Sequence, residues 1–424
     1  MAKKTLAPGF QRFEFRHGLT AKAPRGMNRL LDPGATPTDQ FYLLQNCRIK
    51  GNEIVERGGQ SKLIDSPLNG AVVGIWDAGI ADFRPKMYVK GVNVNTYNPS
   101  QSPNVQSLTP ILVAGVDING TDGPVGLFNN DDVIFIKAGV TDSTFYLGKH
   151  YSTDDSTNST SLTLLFTATG IANMTATAPA FQLGSNVYFQ WNNQDTVTLR
   201  VYRWDATTGT VALDDTDPSA TAGSLTYRHR LASLNNEVYY VGFPTAGGVS
   251  SVRKRAVAGT WSTVGTITGN TNDRQGNLIA FPVTGKLYCG GSNSSGEVKI
   301  YEITSSSIAT ARTISPGVGD ATVNSLVIFN GYLYVLYSTN VVGIDEFRLA
   351  RWDGTTWTDN HASVMDGITP AGAQHAQMFQ FGDDLWIQTI SGVAFKSNGT
   401  DTSTDEWTQM VASTWSNQAP IVVT

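Results

Sequence analysis

A unit of about fifty residues recurs along this chain, and it constrains the fold more than any other feature. Each copy runs as an apolar strand, a tight polar turn and a second strand carrying a large anchor residue. It reads Phe181-Gln-Leu-Gly-Ser-Asn-Val-Tyr188, then Leu231-Ala-Ser-Leu-Asn-Asn-Glu-Val-Tyr239, then Ala280-Phe-Pro-Val-Thr-Gly-Lys-Leu-Tyr288. Val327-Ile-Phe-Asn-Gly-Tyr-Leu-Tyr334 and Met378-Phe-Gln-Phe-Gly-Asp-Asp-Leu-Trp386 continue the series, and looser copies carry Tyr88 and Ile134. The anchors Tyr88, Ile134, Tyr188, Tyr239, Tyr288, Tyr334 and Trp386 are spaced by 46, 54, 51, 49, 46 and 52 residues. A period of that size with several strands per unit is the mark of a β-propeller, because one small sheet cannot bury both faces alone and must stack on its neighbours.

The second half of each unit agrees. A third strand follows the anchor, as in Thr198–Arg203 and Val298–Ile303, and a turn such as Asp353-Gly354 leads to a short outer strand. Trp261, Trp357 and Trp407 hold equivalent outer places, where a large ring can wedge between sheets. The expected fold is therefore all-β: a single β-propeller of seven four-stranded blades over residues 70–415. Residues 416–424 are a terminal strand available for closing the ring. Two β-sandwiches with coincidental spacing are the competing arrangement, and seven anchors at a near-constant interval speak against it. Only Asn360–Ala376 leaves room for a short helical turn. Glycine, at 42 residues, and 42 aromatics in all suit many short strands and turns.

Residues 1–69 break the pattern. Pro8-Gly9, Pro24-Arg25-Gly26 and Asp32-Pro33-Gly34 are turn signals, and alternating residues around Gly51-Asn52 predict a hairpin near 48–57. The first thirty residues hold Lys3, Lys4, Arg12, Arg16, Lys22, Arg25 and Arg29 against one acid, Glu14, although the whole chain carries −5. Phe10, Phe13 and Phe15 stand among these cations, which suits a segment that orders on a partner better than a solubilising tail. The expectation is an extended basic docking arm.

Catalytic chemistry finds little support. His17, His150, His229, His361 and His375 form no metal-ligand spacing, and Cys47 and Cys289 are isolated, so no metal, cofactor or catalytic residue is assigned. Two cysteines far apart suit buried free thiols better than a disulfide. The acid pairs Asp131-Asp132, Asp154-Asp155, Asp214-Asp215 and Asp383-Asp384 could in principle serve a glycosidase, but at least two of them fall in turns, where Asp bonds local amides. Gly290-Gly291 resembles the Kelch doublet and occurs in one unit only. No apolar run spans a membrane and no apolar stretch follows the early lysines as in a secretory signal.

The segment from Gly26-Met-Asn-Arg-Leu-Leu-Asp-Pro through Gln45-Asn46-Cys-Arg-Ile-Lys-Gly51 to Glu56-Arg57-Gly-Gly59 resembles a pattern that precedes β-propellers in tailed-phage virion proteins. It covers about 35 residues and is similar to tail nozzle, hub or head-tail neck components. The resemblance implies a structural, non-enzymatic virion protein: a homo-oligomeric ring, often sixfold in such assemblies, around the DNA exit channel. It would be put together in the host cytoplasm against neighbouring tail, neck or portal-adaptor proteins, with transient passage of DNA during genome ejection. The chain lacks the second sizeable domain of the larger nozzle proteins, which favours a smaller hub or adaptor. The alternative from another class is a glycan-binding or glycan-cleaving β-propeller, which would need a carboxylate pair at one mouth of the channel.

Overall fold

The computed structural model describes residues 47–50, 53–56, 72–76, 86–89, 93–97, 105–107, 116–117, 123–129, 132–137, 139, 142–148, 161–169, 180–192, 199–217, 231–242, 249–268, 277–292, 297–315, 321–341, 344–364, 376–381, 384–389, 393–397, 402, 407–411 and 421–423. The chain divides into two compact units, Met1–Gly59 and Gln60–Thr424, a boundary somewhat earlier than the change in composition near residue 70. Within the first unit Cys47–Lys50 pairs antiparallel with Glu53–Glu56, Lys50 facing Glu53.

The described strands of the second unit form seven sheets of four or five strands. Sheet 1 runs Val72–Trp76, Lys86–Val89, Asn93–Tyr97, Val105–Ser107; sheet 2 runs Gly123–Phe128, Asp132–Lys137, Ser143–Gly148, Ser161–Ala168. Sheet 3 is Phe181–Leu183, Asn186–Asn192, Leu199–Asp205, Thr210–Asp217, and sheet 4 is Leu231–Leu234, Glu237–Val241, Ser250–Arg255, Trp261–Ile267. Sheet 5 is Leu278–Phe281, Lys286–Ser292, Val298–Ile303, Ile308–Ile314, and sheet 6 is Ala321–Phe329, Tyr332–Val341, Ile344–Trp352, Trp357–Ser363. Sheet 7 is Ala376–Phe381, Asp384–Thr389, Val393–Lys396, Thr408–Val411. Val116–Asp117 adds to the outer edge of sheet 2, and Ile421–Val423 adds to the inner edge of sheet 1. Each sheet is an antiparallel meander, and the first strands of successive sheets touch one another along the inner wall. This is a β-propeller. No helix occurs among the described residues. Asn360–Ser363, where a helical turn had room, belongs to the outer strand of sheet 6: Leu349 pairs with Ala362, and that ladder satisfies the backbone.

Local chemistry explains the turns. Asn235 and Asn236 have φ of 54° and 61°, and Asn330 and Gly331 have 49° and 78°. Two consecutive left-handed residues make the primed turn that matches strand twist, and Asn and Gly tolerate it best. Between third and fourth strands the Asp353 carboxylate accepts the amides of Thr355 and Thr356, each at 2.7 Å, and Asp205 accepts that of Thr207 at 2.9 Å. Those bonds, the Thr356 amide foremost for Asp353 and the Thr207 amide for Asp205, hold both carboxyls below the usual carboxylate range. Thr304 plays the same part in sheet 5 with its hydroxyl.

The core is a succession of seams between sheets. Phe145, Phe166 and Phe189 meet between sheets 2 and 3, and Trp352 of sheet 6 packs on Phe281 and Tyr288 of sheet 5 at centroid distances of 5.4 and 5.1 Å. Buried amides stitch the inner strands together. Asn277 donates to the Leu326 carbonyl at 2.6 Å and accepts its amide, while Asn324 accepts the amide of Ala376 at 3.1 Å. Among the described residues, Gln190 is the buried amide with both ends left over. Gln190 is fully buried, and neither its Oε1 nor its Nε2 has a hydrogen-bond partner. Desolvating an amide without a bond costs about 1–3 kcal/mol, and methionine has a similar volume. Gln190→Met should therefore raise the denaturant midpoint by about 1–2 kcal/mol of stability. A lowered midpoint would show that the amide is bonded in solution.

Candidate functional site

The anchor row is the first place to look for function. Ile134, Tyr188, Tyr239, Tyr288, Tyr334 and Trp386 stand on the second strands of sheets 2 to 7, all buried. Tyr88 stands on the second strand of sheet 1, where only the backbone course is described. Opposite the last five anchors, the third strand places Arg203, Lys254, Glu302, Arg351 and Lys396. Each of these meets the residue two before the anchor, which the two-residue strand period puts on the same face. Arg203 bonds Asn186 at 2.8 Å, Lys254 pairs with Glu237 at 3.2 Å, and Lys396 pairs with Asp384 at 2.5 Å. In sheet 5 the signs are exchanged, with Lys286 on Glu302 at 2.7 Å, and in sheet 6 Arg351 lies 4.7 Å over the Tyr332 ring. The anchor hydroxyls join in: Tyr239 donates to Glu237 at 2.7 Å and Tyr288 to Glu302 at 3.1 Å. Burial first, then the neighbouring glutamate, pushes the tyrosine of sheet 4 well above the ordinary phenol range. These groups are cement within each sheet, each half-exposed pair contributing about 0.2–1 kcal/mol.

The acid pair Asp214-Asp215 has a different setting. A β-bulge in the outer strand of sheet 3 sets Val201 opposite Asp215 and Tyr202 opposite Leu213, leaving Asp214 as the extra residue. Consecutive strand residues normally face opposite ways; a bulge lets two neighbours share a side. Both acids accordingly reach sheet 4. Asp215 accepts two bonds from Arg253 and one from Tyr240, all at 2.8 Å. Asp214 accepts from Arg255 Nε at 2.6 Å and from Trp261 Nε1 at 2.7 Å, and also from Arg203 of its own sheet at 3.1 Å. The same bulge recurs at Leu165, Val264 and Ala311. After the one in sheet 5, Arg312 pairs with Asp359 of sheet 6. Trp261 and Trp357 open the outer strands of sheets 4 and 6, and Trp407 immediately precedes that of sheet 7; each packs against a seam.

Asp214, Asp215, Glu237, Glu302 and Asp384 are all held in ion pairs. Asp131, Asp154, Asp155 and Asp383 lie outside the described residues, as do His17, His150, His229 and His375. His361 bonds the buried Thr402 hydroxyl at 2.8 Å, Cys289 is buried and outside any disulfide, and no group of three metal-ligating side chains occurs among the described residues. The arm residues Lys3, Lys4, Arg12, Arg16, Lys22, Arg25 and Arg29 lie outside the described residues. Sequence reasoning passed over Arg253, Lys254 and Arg255. Three adjacent cations in a strand must point alternately, two to one neighbour and one to the other, and that was the available signal.

No family model matches this sequence, and no curated protein matches it. Solved structures do. A Bacteroides fragilis protein described as a 6-phosphogluconolactonase superposes with a TM-score of 0.51 at 14% identity, over 83% of this chain and 96% of that one. Saccharomyces cerevisiae Sqt1 gives 0.51 at 10% identity, over 85% and 91%. The β-propeller domain of the Trilobed protease from Pyrococcus furiosus gives 0.44 at 9% identity, over 79% and 95%. At such identities the likeness is one of fold, and it extends over most of the chain.

Proposed function

We propose that this chain is a non-enzymatic assembly protein, a propeller that forms a homo-oligomeric ring in the tail or neck of a tailed phage and docks through its basic N-terminal segment. The observation that carries the reading is the segment 26–59. It lies outside the repeat, resembles the stretch that precedes phage virion propellers, and contains the hairpin Cys47–Glu56 in a unit of its own. One acid pair supports it from the other side: Asp214 and Asp215 are spent on holding sheet 3 to sheet 4. The seven cations of residues 1–30 suit acidic partner surfaces, which arginine binds in bidentate fashion.

Light scattering and negative-stain imaging of the full chain test this. Rings with a mass several times 45.6 kDa are expected. Deleting residues 1–30 should abolish assembly while leaving the melting transition of the propeller nearly unchanged. A 45.6 kDa monomer at every concentration, together with cleavage of a cell-wall polysaccharide, would overturn the proposal in favour of the glycan-active alternative.

A further inference from the structure

The strand Ile421–Val423 is a fifth strand on a sheet that is already complete. Consecutive chain supplies sheet 1 with four strands between Val72 and Ser107, just as it supplies sheets 3 to 7 with four each. Ile421–Val423 then lies parallel to Val72–Trp76, with Gly74 opposite Ile421, Ile75 opposite Val422 and Trp76 opposite Val423. All other strand pairs among the described residues are antiparallel. A parallel strand cannot come from a hairpin; it has to arrive from elsewhere in the chain. It sits on the inner edge and also touches the first strand of sheet 2, Gly123–Phe128.

The inner edge of Val72–Trp76 is thus filled by a strand from the far end of the chain. An open edge is a template for a strand from any chain, and the backbone ladder supplies most of the affinity. Ile-Val-Val is β-branched throughout, which suits a pleated ladder. Nine residues separate Val411 from Ile421, a length of chain that spans at most about 30 Å. Moving an identical strand from one copy to the next breaks no hydrogen bond that it does not remake, so exchange between copies costs little.

We propose that the inner edge of Val72–Trp76 is a strand-accepting slot, and that in the assembled ring it receives Ile421–Val423 from a neighbouring copy. The inference rests on the ring reading given above and names the joint between copies. Two full-length variants test it, each carrying Cys47→Ser so that only the buried Cys289 remains as a native thiol. One has Ile75→Cys, the other Val422→Cys, a pair in direct register. They are refolded together, assembled and treated with a short bifunctional thiol reagent. A covalent dimer in the mixture, absent from either variant alone, is the expected result. A cross-link that forms only within the Ile75→Cys/Val422→Cys double variant overturns the exchange, and no cross-link in any sample overturns the strand pairing itself. Trp76→Cys with Val423→Cys repeats the test at the next register position should the first pair fold poorly. Rings without the mixed dimer sink the exchange and leave the ring standing; the mixed dimer without rings does the reverse.

Discussion

Tyr334→Ala should cost about 3–5 kcal/mol of stability, the range for deleting a large buried aromatic and leaving a cavity. Tyr334 is 1% exposed and sits in the seam between sheets 6 and 7, among Phe329, Leu336, Met378 and Leu385. Its ring meets those of Phe329, Tyr332 and His361 at 6.2, 6.2 and 5.8 Å. Both neighbouring sheets are rigid ladders, so the space cannot collapse cheaply. The hydroxyl adds a separate contribution. It bonds the buried Thr402 at 2.8 Å, and Thr402 in turn bonds His361. Tyr334→Phe keeps the ring and removes that bond, so it should cost only about 1 kcal/mol. Chemical denaturation of the two variants separates the contributions. An unchanged midpoint for Tyr334→Ala would place the residue outside the seam and shift the repeat register.

What the sequence made legible follows from range. The repeat, the anchors and the turns are local: strand period, a large apolar residue at a fixed place, and Asn-Gly or Asp-Gly where the backbone turns. These signals lie within about ten residues and need no knowledge of neighbours. The seams depend on which sheet lies next, and composition does not encode that. Asp214-Asp215 reads as one acid pair among four until a bulge turns both side chains toward sheet 4. Arg253-Lys254-Arg255 reads as a charged run until its alternation meets acids on two sides. Asn277 and Asn324 look like ordinary loop or strand polars, and only the packed structure shows them bonding backbone across a seam. Ile421–Val423 is legible as a strand available for closing the ring, but the parallel register in which it meets Val72–Trp76 is not. Gly290 was set aside as a local feature of its strand. A Cβ there would lie 2.3 Å from Val323 Cγ1 of the next sheet, so the glycine permits a close approach.

Asp214→Ala is expected to destabilise the propeller by about 3 kcal/mol, through the cations it strands more than through the bonds it loses. The carboxylate is 8% exposed and joins Arg203, Arg255 and Trp261. Removing it takes the acceptor from the Arg255 guanidinium and the Trp261 indole N–H and leaves Arg203 bonded to Asn186. Breaking a buried pair from one side generally costs about 3–5 kcal/mol. The side chains of Arg203 and Arg255 are 27% and 14% exposed, so water can recover part of that, which sets the expectation at the lower end. Arg255 also lies 5.8 Å from the centre of the Tyr188 ring, so its movement should loosen the sheet 3 anchor. The companion variant removes all three charges, Asp214→Leu with Arg203→Leu and Arg255→Met. Such an apolar replacement is often neutral or stabilising, because no desolvated charge remains. Urea midpoints for the single and triple variants therefore decide what the cluster does. A large loss in the single and recovery in the triple would show that the charges specify which sheet faces which without adding net stability. A loss of only a few tenths in the single would mean that the arginines turn to solvent and that Asp215 with Arg253, together with packing through Trp261 and Tyr240, holds sheet 3 to sheet 4.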